Sequence, residues 1–322
     1  MNMKKIFFLV LMAAFAAPVA AQQVAQYSQY MFNALYINPA YAGYRGPVNL
    51  HAYYRSQWTG MPDGPRTMAL AADMRTASDN VGLGFNLMSD RVGLEKRIYA
   101  YANYAYRLRV GWDPEDRLAF GIGIGVIHSA FDNAAWEPGD AEPISLESSF
   151  LPDARFGVHY SNNTFFAGIG VDNLISQLFF NDDASSAKMP PITQYYINVG
   201  GIVPMTNDIL LKPSVLVKNA NNAGNRAWTA DLNAAAIFAE QFTFGVSYRT
   251  ALASGKKLSN SLRRANSIIA LAEFVAGGQF RIGYSFDYAL NKLHNQVGST
   301  HEISLGYTIN RGTQRVRTPR YF

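Results

Sequence analysis

Phe242-Thr243-Phe244-Gly245-Val246-Ser247-Tyr248-Arg249 is the stretch on which the fold turns. Large apolar side chains occupy every second position and small, polar or charged ones stand between them, so an extended backbone sends one set to each face. One face is oily and the other polar. The same rule places Phe280, Ile282, Tyr284 and Phe286 against Arg281, Gly283, Ser285 and Asp287, and Ile303, Leu305, Tyr307 and Ile309 against Glu302, Ser304, Gly306 and Thr308. Upstream, Leu118, Phe120, Ile122, Ile124 and Val126 alternate with Ala119, Gly121, Gly123 and Gly125. Phe156, Val158 and Tyr160 alternate with Arg155, Gly157 and His159, and Trp228 to Phe238 repeats the pattern against Thr229, Asp231 and Asn233. About fourteen segments obey it, near 47–57, 66–75, 80–89, 97–109, 117–128, 154–161, 164–172, 194–204, 209–219, 226–238, 241–249, 267–275, 279–288 and 301–310. Most have the length a tilted strand needs to cross a bilayer.

The connections switch between short and long. Asn162-Asn163, Thr206-Asn207-Asp208, Ala239-Glu240 and Gly277-Gly278 are tight and rich in turn-forming residues, whereas 129–153, 173–193, 250–266 and 289–300 are long. An outer-membrane barrel has short periplasmic turns, longer extracellular loops and an even number of antiparallel strands. That topology puts the basic loop with Lys256, Lys257, Arg263 and Arg264 outside, facing lipopolysaccharide phosphates. A soluble β-sandwich also alternates, but Trp228, Phe238, Phe242, Tyr248, Phe280 and Phe286 lie near strand ends on the oily face, where interfacial girdles form. In hydrocarbon an open sheet edge leaves backbone groups without partners, so the sheet must close. The expectation is an all-β, transmembrane antiparallel barrel of about fourteen strands over residues 47–310.

Composition agrees. Of 322 residues 13% are aromatic and only 16% are charged, against about 25% charged in ordinary soluble domains. The absence of cysteine excludes disulfides, thiolate metal sites, thiol catalysis and a lipidated N-terminal Cys. Lys4 and Lys5 precede an apolar run from Ile6 to Ala17, then Pro18 and Val19-Ala20-Ala21. This reads as a signal peptide, residues 1–21, cleaved before Gln22, its core too short to span a bilayer. The remaining 26 basic and 23 acidic residues leave a formal charge of +3. So mild an excess on an exported chain points away from nucleic acid.

Residues 22–46 do not alternate. Tyr27, Tyr30, Met31, Ala34 and Leu35 fall at helical spacing before Asn38-Pro39, which should stop a helix. The segment is expected to be a periplasmic plug or docking piece, and residues 311–322, with Arg311, Arg315, Arg317 and Arg320, a periplasmic tail. No two of the five histidines have metal-ligand spacing, and neither a metal nor a cofactor is expected. Gly121-Ile122-Gly123-Ile124-Gly125 sits within a strand, where glycine relieves crowding on the inner face rather than cradling phosphate. His128-Ser129 and His159-Tyr160-Ser161 suggest a serine hydrolase only superficially, since neighbours on a strand point oppositely. Arg155, Arg249 and Arg281 with Asp172, Asp231 and Asp287 fall on the lumen side, as bracing pairs or, alternatively, as a selectivity lining.

Two stretches outside the strands carry a resemblance: Gln29-Tyr30-Met31-Phe32-Asn33 followed by Ile37-Asn38-Pro39-Ala40-Tyr41-Ala42-Gly43, and the terminal Thr318-Pro319-Arg320-Tyr321-Phe322. They resemble the PorP/SprF family of Bacteroidetes outer-membrane proteins, although Thr318 stands where the family more often has Ser. The resemblance implies a non-enzymatic role in type IX secretion and, in gliding species, in gliding motility. Its implied partners are periplasmic lipoproteins of the machinery and secreted cargo, such as an adhesin, with a C-terminal sorting domain. The motif residues Gln29, Tyr30, Asn38, Pro39, Ala40, Tyr41, Gly43, Arg320, Tyr321 and Phe322 are then the candidates for docking a partner. A general diffusion porin and, behind it, a hydrophobic-substrate transporter stay open as alternatives.

Overall fold

The computed structural model describes residues 27–77, 79–111, 113, 115–131, 148–180, 191–222, 225–253, 266–290 and 297–309. The expected signal peptide over 1–21, together with residues 22–26, the basic loop of Lys256 to Arg264 and the tail with Arg320, Tyr321 and Phe322, lies outside these residues.

The strands are β1 Val48–Ser56, β2 Arg66–Arg75, β3 Val81–Val92, β4 Glu95–Arg109, β5 Arg117–Phe131, β6 Ser149–Ser161, β7 Phe165–Asp172, β8 Gln194–Gly201, β9 Val203–Pro204, β10 Ile209–Asn222, β11 Asn225–Phe238, β12 Phe242–Ala253, β13 Ser267–Ala276, β14 Phe280–Ala289 and β15 Thr300–Ile309. β8 and β9 are one stave, interrupted at Ile202, whose N–H donates to the Thr164 carbonyl at 2.7 Å. Fourteen antiparallel staves result. Each pairs with its sequence neighbours, and β1 pairs with β15 from Val48↔Ile309 to Ser56↔His301, which closes the cylinder.

The wall is apolar outside and polar inside, as a lipid-embedded barrel requires. Ile124 and Phe150 are each 70% exposed and Leu70 56%, whereas Asn49, Thr67, Asp231 and Ser285 are fully buried. Every strand contributes large exposed apolar side chains. The chain is an all-β outer-membrane barrel, and no described helix is long and apolar enough to cross a membrane.

The two rims differ. One carries the chain's entry into β1 and the turns at 76–80, 110–116, 162–164, 205–208, 239–241 and 277–279. Ala239, Glu240, Gly277 and Gly278 have positive φ, the conformation that a two-residue hairpin turn demands. The opposite rim carries the longer connections, with the two-residue links at 93–94 and 223–224 as its exceptions.

Candidate functional site: the occupied lumen

Residues 27–46 lie inside the cylinder. Tyr27, Tyr30, Phe32, Leu35, Tyr36, Ile37, Tyr41 and Tyr44 are all buried, most of them in one cluster with wall residues Tyr53, Met88, Phe166, Tyr196 and Leu216, while Phe32 packs on Ile269 and Leu271. The expected helix over Tyr27–Leu35 is replaced by two three-residue 3-10 turns, Ala34–Tyr36 and Pro39–Tyr41. Asn33 and Asn38 cap them, each side chain accepting from the backbone N–H two residues on, and Pro39 holds the first helical position.

The helix is lost because the wall supplies partners that a helix would otherwise have to provide. The N–H groups of Ser28 and Gln29 donate to the two Glu302 carboxylate oxygens at 2.9 and 3.0 Å. Carbonyls are taken by wall cations: Tyr27 by Arg249 at 3.2 Å, Met31 by Lys212 at 3.4 Å, Tyr36 by Arg155 at 2.8 Å and Ala42 by Arg107. Gly43 N–H donates to Asp73 at 2.7 Å, and the Asn38 amide donates to the Val158 carbonyl at 3.0 Å. Asn233 donates to the Tyr30 hydroxyl at 2.7 Å, and Tyr36 Oη lies 3.2 Å from His51 Nδ1.

Glycines make room for this backbone. A Cβ built on Gly82 would lie 1.9 Å from the Ala42 carbonyl oxygen, one on Gly121 2.1 Å from Ala40 N, one on Gly157 2.0 Å from Asn38 Oδ1 and one on Gly170 2.0 Å from the Ile37 carbonyl oxygen. These are contacts that no real Cβ makes. Four wall strands on one side of the plug, β3, β5, β6 and β7, thus give up a side chain where it lies against them.

The six charges placed on the lumen side by alternation are all turned inward. Arg155 pairs with Asp172 at 2.6 Å, and Arg249 pairs with Asp231 at 2.8 Å and with Asp287 at 3.5 Å. Arg281 instead donates to Thr308 at 3.2 Å and to Asn49. Arg55 and Glu302, which sequence reading did not single out, form the buried pair at the centre of the Ser28 contacts. Their positions on the polar face were visible, but their standing opposite each other across the β1–β15 seam, where both meet Ser28, was not. Gln29, Tyr30, Asn38, Pro39, Ala40, Tyr41 and Gly43 are brought together inside the barrel, all buried. His159 packs edge-on against Tyr41 and Tyr44, while His128 stacks on Phe150 with ring centroids 4.2 Å apart, so the two face different surroundings. Among the described residues no group of three or more His, Asp or Glu side chains is arranged to hold a metal.

Solved structures share the architecture. A CymD monoaromatic hydrocarbon channel superposes with a TM-score of 0.54 at 11% identity, covering 88% of this chain and 94% of that one. A TodX monoaromatic hydrocarbon channel mutant gives 0.51 at 9% identity, covering 89% and 95%. At such identity the likeness is one of fold. No match was found among curated proteins. The sequence profile described as "Type IX secretion system membrane protein PorP/SprF" matches residues 19–307. With that match over most of its length, and with the block that carries the resemblance folded into the lumen of an outer-membrane barrel, this chain belongs to the PorP/SprF family of type IX secretion components.

Proposed function

We propose that this protein acts as a closed, non-enzymatic barrel that supports export or surface attachment of cargo with a C-terminal sorting domain and docks a periplasmic lipoprotein. The observation that carries the reading is the burial of the family block against the wall on every side, which leaves the rims as the surfaces for partners. Short turns define the periplasmic rim, as in other outer-membrane barrels. The signal peptide delivers the chain there. The arginine tail, following β15, leaves from that same rim and meets an acidic partner, while the basic loop of Lys256 to Arg264 faces lipopolysaccharide.

A diffusion porin would need a lumen free of its own chain. A hydrophobic-substrate channel, like the two monoaromatic hydrocarbon channels that share the fold, would need an apolar conduit through a wall whose inner face is charged and amide-rich. Affinity isolation from membranes, read by mass spectrometry, tests the proposal: sorting-domain cargo or type IX lipoproteins should co-purify. Their absence, together with intact cargo export in a deletion strain, would reject it. Removing residues 27–44 should abolish export while the barrel still inserts.

A further inference from the structure

The plug has a direction. Ser28 Oγ lies 3.0 Å from both Asp287 carboxylate oxygens, and Arg55 Nη1 donates to Ser28 Oγ at 3.0 Å. Asp287 is two residues from the end of β14, Glu302 two residues into β15 and Arg55 next to the end of β1, all at the ends that feed the long connections. At the other extremity, Gly43 meets Asp73, near the end of β2, and Ala42 meets Gly82 and Arg107, at the turn ends of β3 and β4. From Ser28 to Gly43 the chain therefore descends the lumen from the long-loop end to the short-turn end, where it enters β1.

We propose that the mature chain is threaded through its own barrel so that the residues upstream of Tyr27 are delivered to the long-loop mouth, displaying the mature N-terminus at the cell surface. With the rims oriented as under Proposed function, the family block's beginning belongs to the outer mouth, and only its end, near Gly43–Gly46, reaches the periplasmic side. β1 and β15 pair along their full length, so the wall encloses the segment without a gap at the seam.

A peptide tag with Gly/Ser flanks, about 30 residues in all and so with a reach of about 30 Å, is inserted between Gln23 and Val24. It is probed on intact cells with an antibody fragment too large to cross the outer membrane. The chain has no cysteine, so Pro62→Cys on a long connection and Asn207→Cys on a short turn, both exposed, report the two sides through an impermeant maleimide. The expected result is antibody binding and Pro62→Cys labelling on intact cells, with Asn207→Cys labelled only after permeabilisation. Labelling of Pro62→Cys with a tag reached only after permeabilisation would overturn the threading. Exchange of the two cysteine signals would overturn the orientation instead, and the threading would then stand if the tag followed Pro62→Cys and fall if it followed Asn207→Cys. Independently of any tag, Gln29→Cys with Ser285→Cys should be joined by a short bifunctional thiol reagent in most of the folded protein, since the native Gln29 Nε2 reaches to 3.4 Å from Ser285 Oγ. Cross-linking of Gln29→Cys to Asp73→Cys in its place would contradict the path.

Discussion

The two ends of the plug are held by different physics. Around Ser28 and Gln29 the wall grips with charge: Arg55, Arg249, Asp287 and Glu302 bond one another and then the plug's own hydroxyl and backbone. Around Ile37–Ala42 it grips by omission, with glycines at 82, 121 and 170 letting backbone meet backbone and Gly157 admitting the Asn38 side chain. A charge cluster is sensitive to losing one member, because the others stay buried without a partner. A glycine cradle is sensitive to gaining a single carbon.

Breaking the charged end should cost most. Glu302→Ala leaves Arg55 with Asp287 as its one remaining carboxylate partner and two plug N–H groups without acceptors, a loss of about 3–5 kcal/mol, read as a lower denaturant midpoint of the detergent-solubilised barrel and faster hydrogen exchange at residues 28 and 29. Next comes the cradle: Gly121→Ala and Gly157→Ala should each cost about 1–3 kcal/mol, with the plug segment becoming cleavable by a protease that spares the parent. Asn38→Ala removes a turn cap and the bond to Val158 together, and a fall of about 1–2 kcal/mol is expected by the same midpoint assay. Smallest is the lipid face, where Ile124→Val should shift the midpoint by less than about 0.5 kcal/mol, since fluid acyl chains fill the lost volume. If the lipid-face change proved as costly as Glu302→Ala, the contrast between a tightly specified interior and a permissive exterior would be lost.

The barrel was legible because its signal is local. Period-two alternation needs only neighbouring residues, and every one of the fourteen segments became a stave. Boundaries slipped where local chemistry misleads: β6 begins at Ser149 rather than 154, since Pro152, lacking an N–H, reads as a strand breaker, and β12 runs on to Ala253. The interior was less legible. The Gly121–Gly125 series showed that something crowds the inner face, but not that the Ala40 backbone is what meets Gly121, while Gly125 faces Ala100 and Tyr101 of the neighbouring strand. The helical spacing of Tyr27 to Leu35 was real, yet Glu302, more than 270 residues away, takes the N–H groups that a helix would have left free at its start.

The central claim is that the family block fills the lumen of its own barrel. Conductance across a planar bilayer, comparing the intact chain with one lacking residues 27–42, tests it most directly. The intact protein should be silent and the shortened one should open steady, ohmic pores; equal conductance from both would contradict the account.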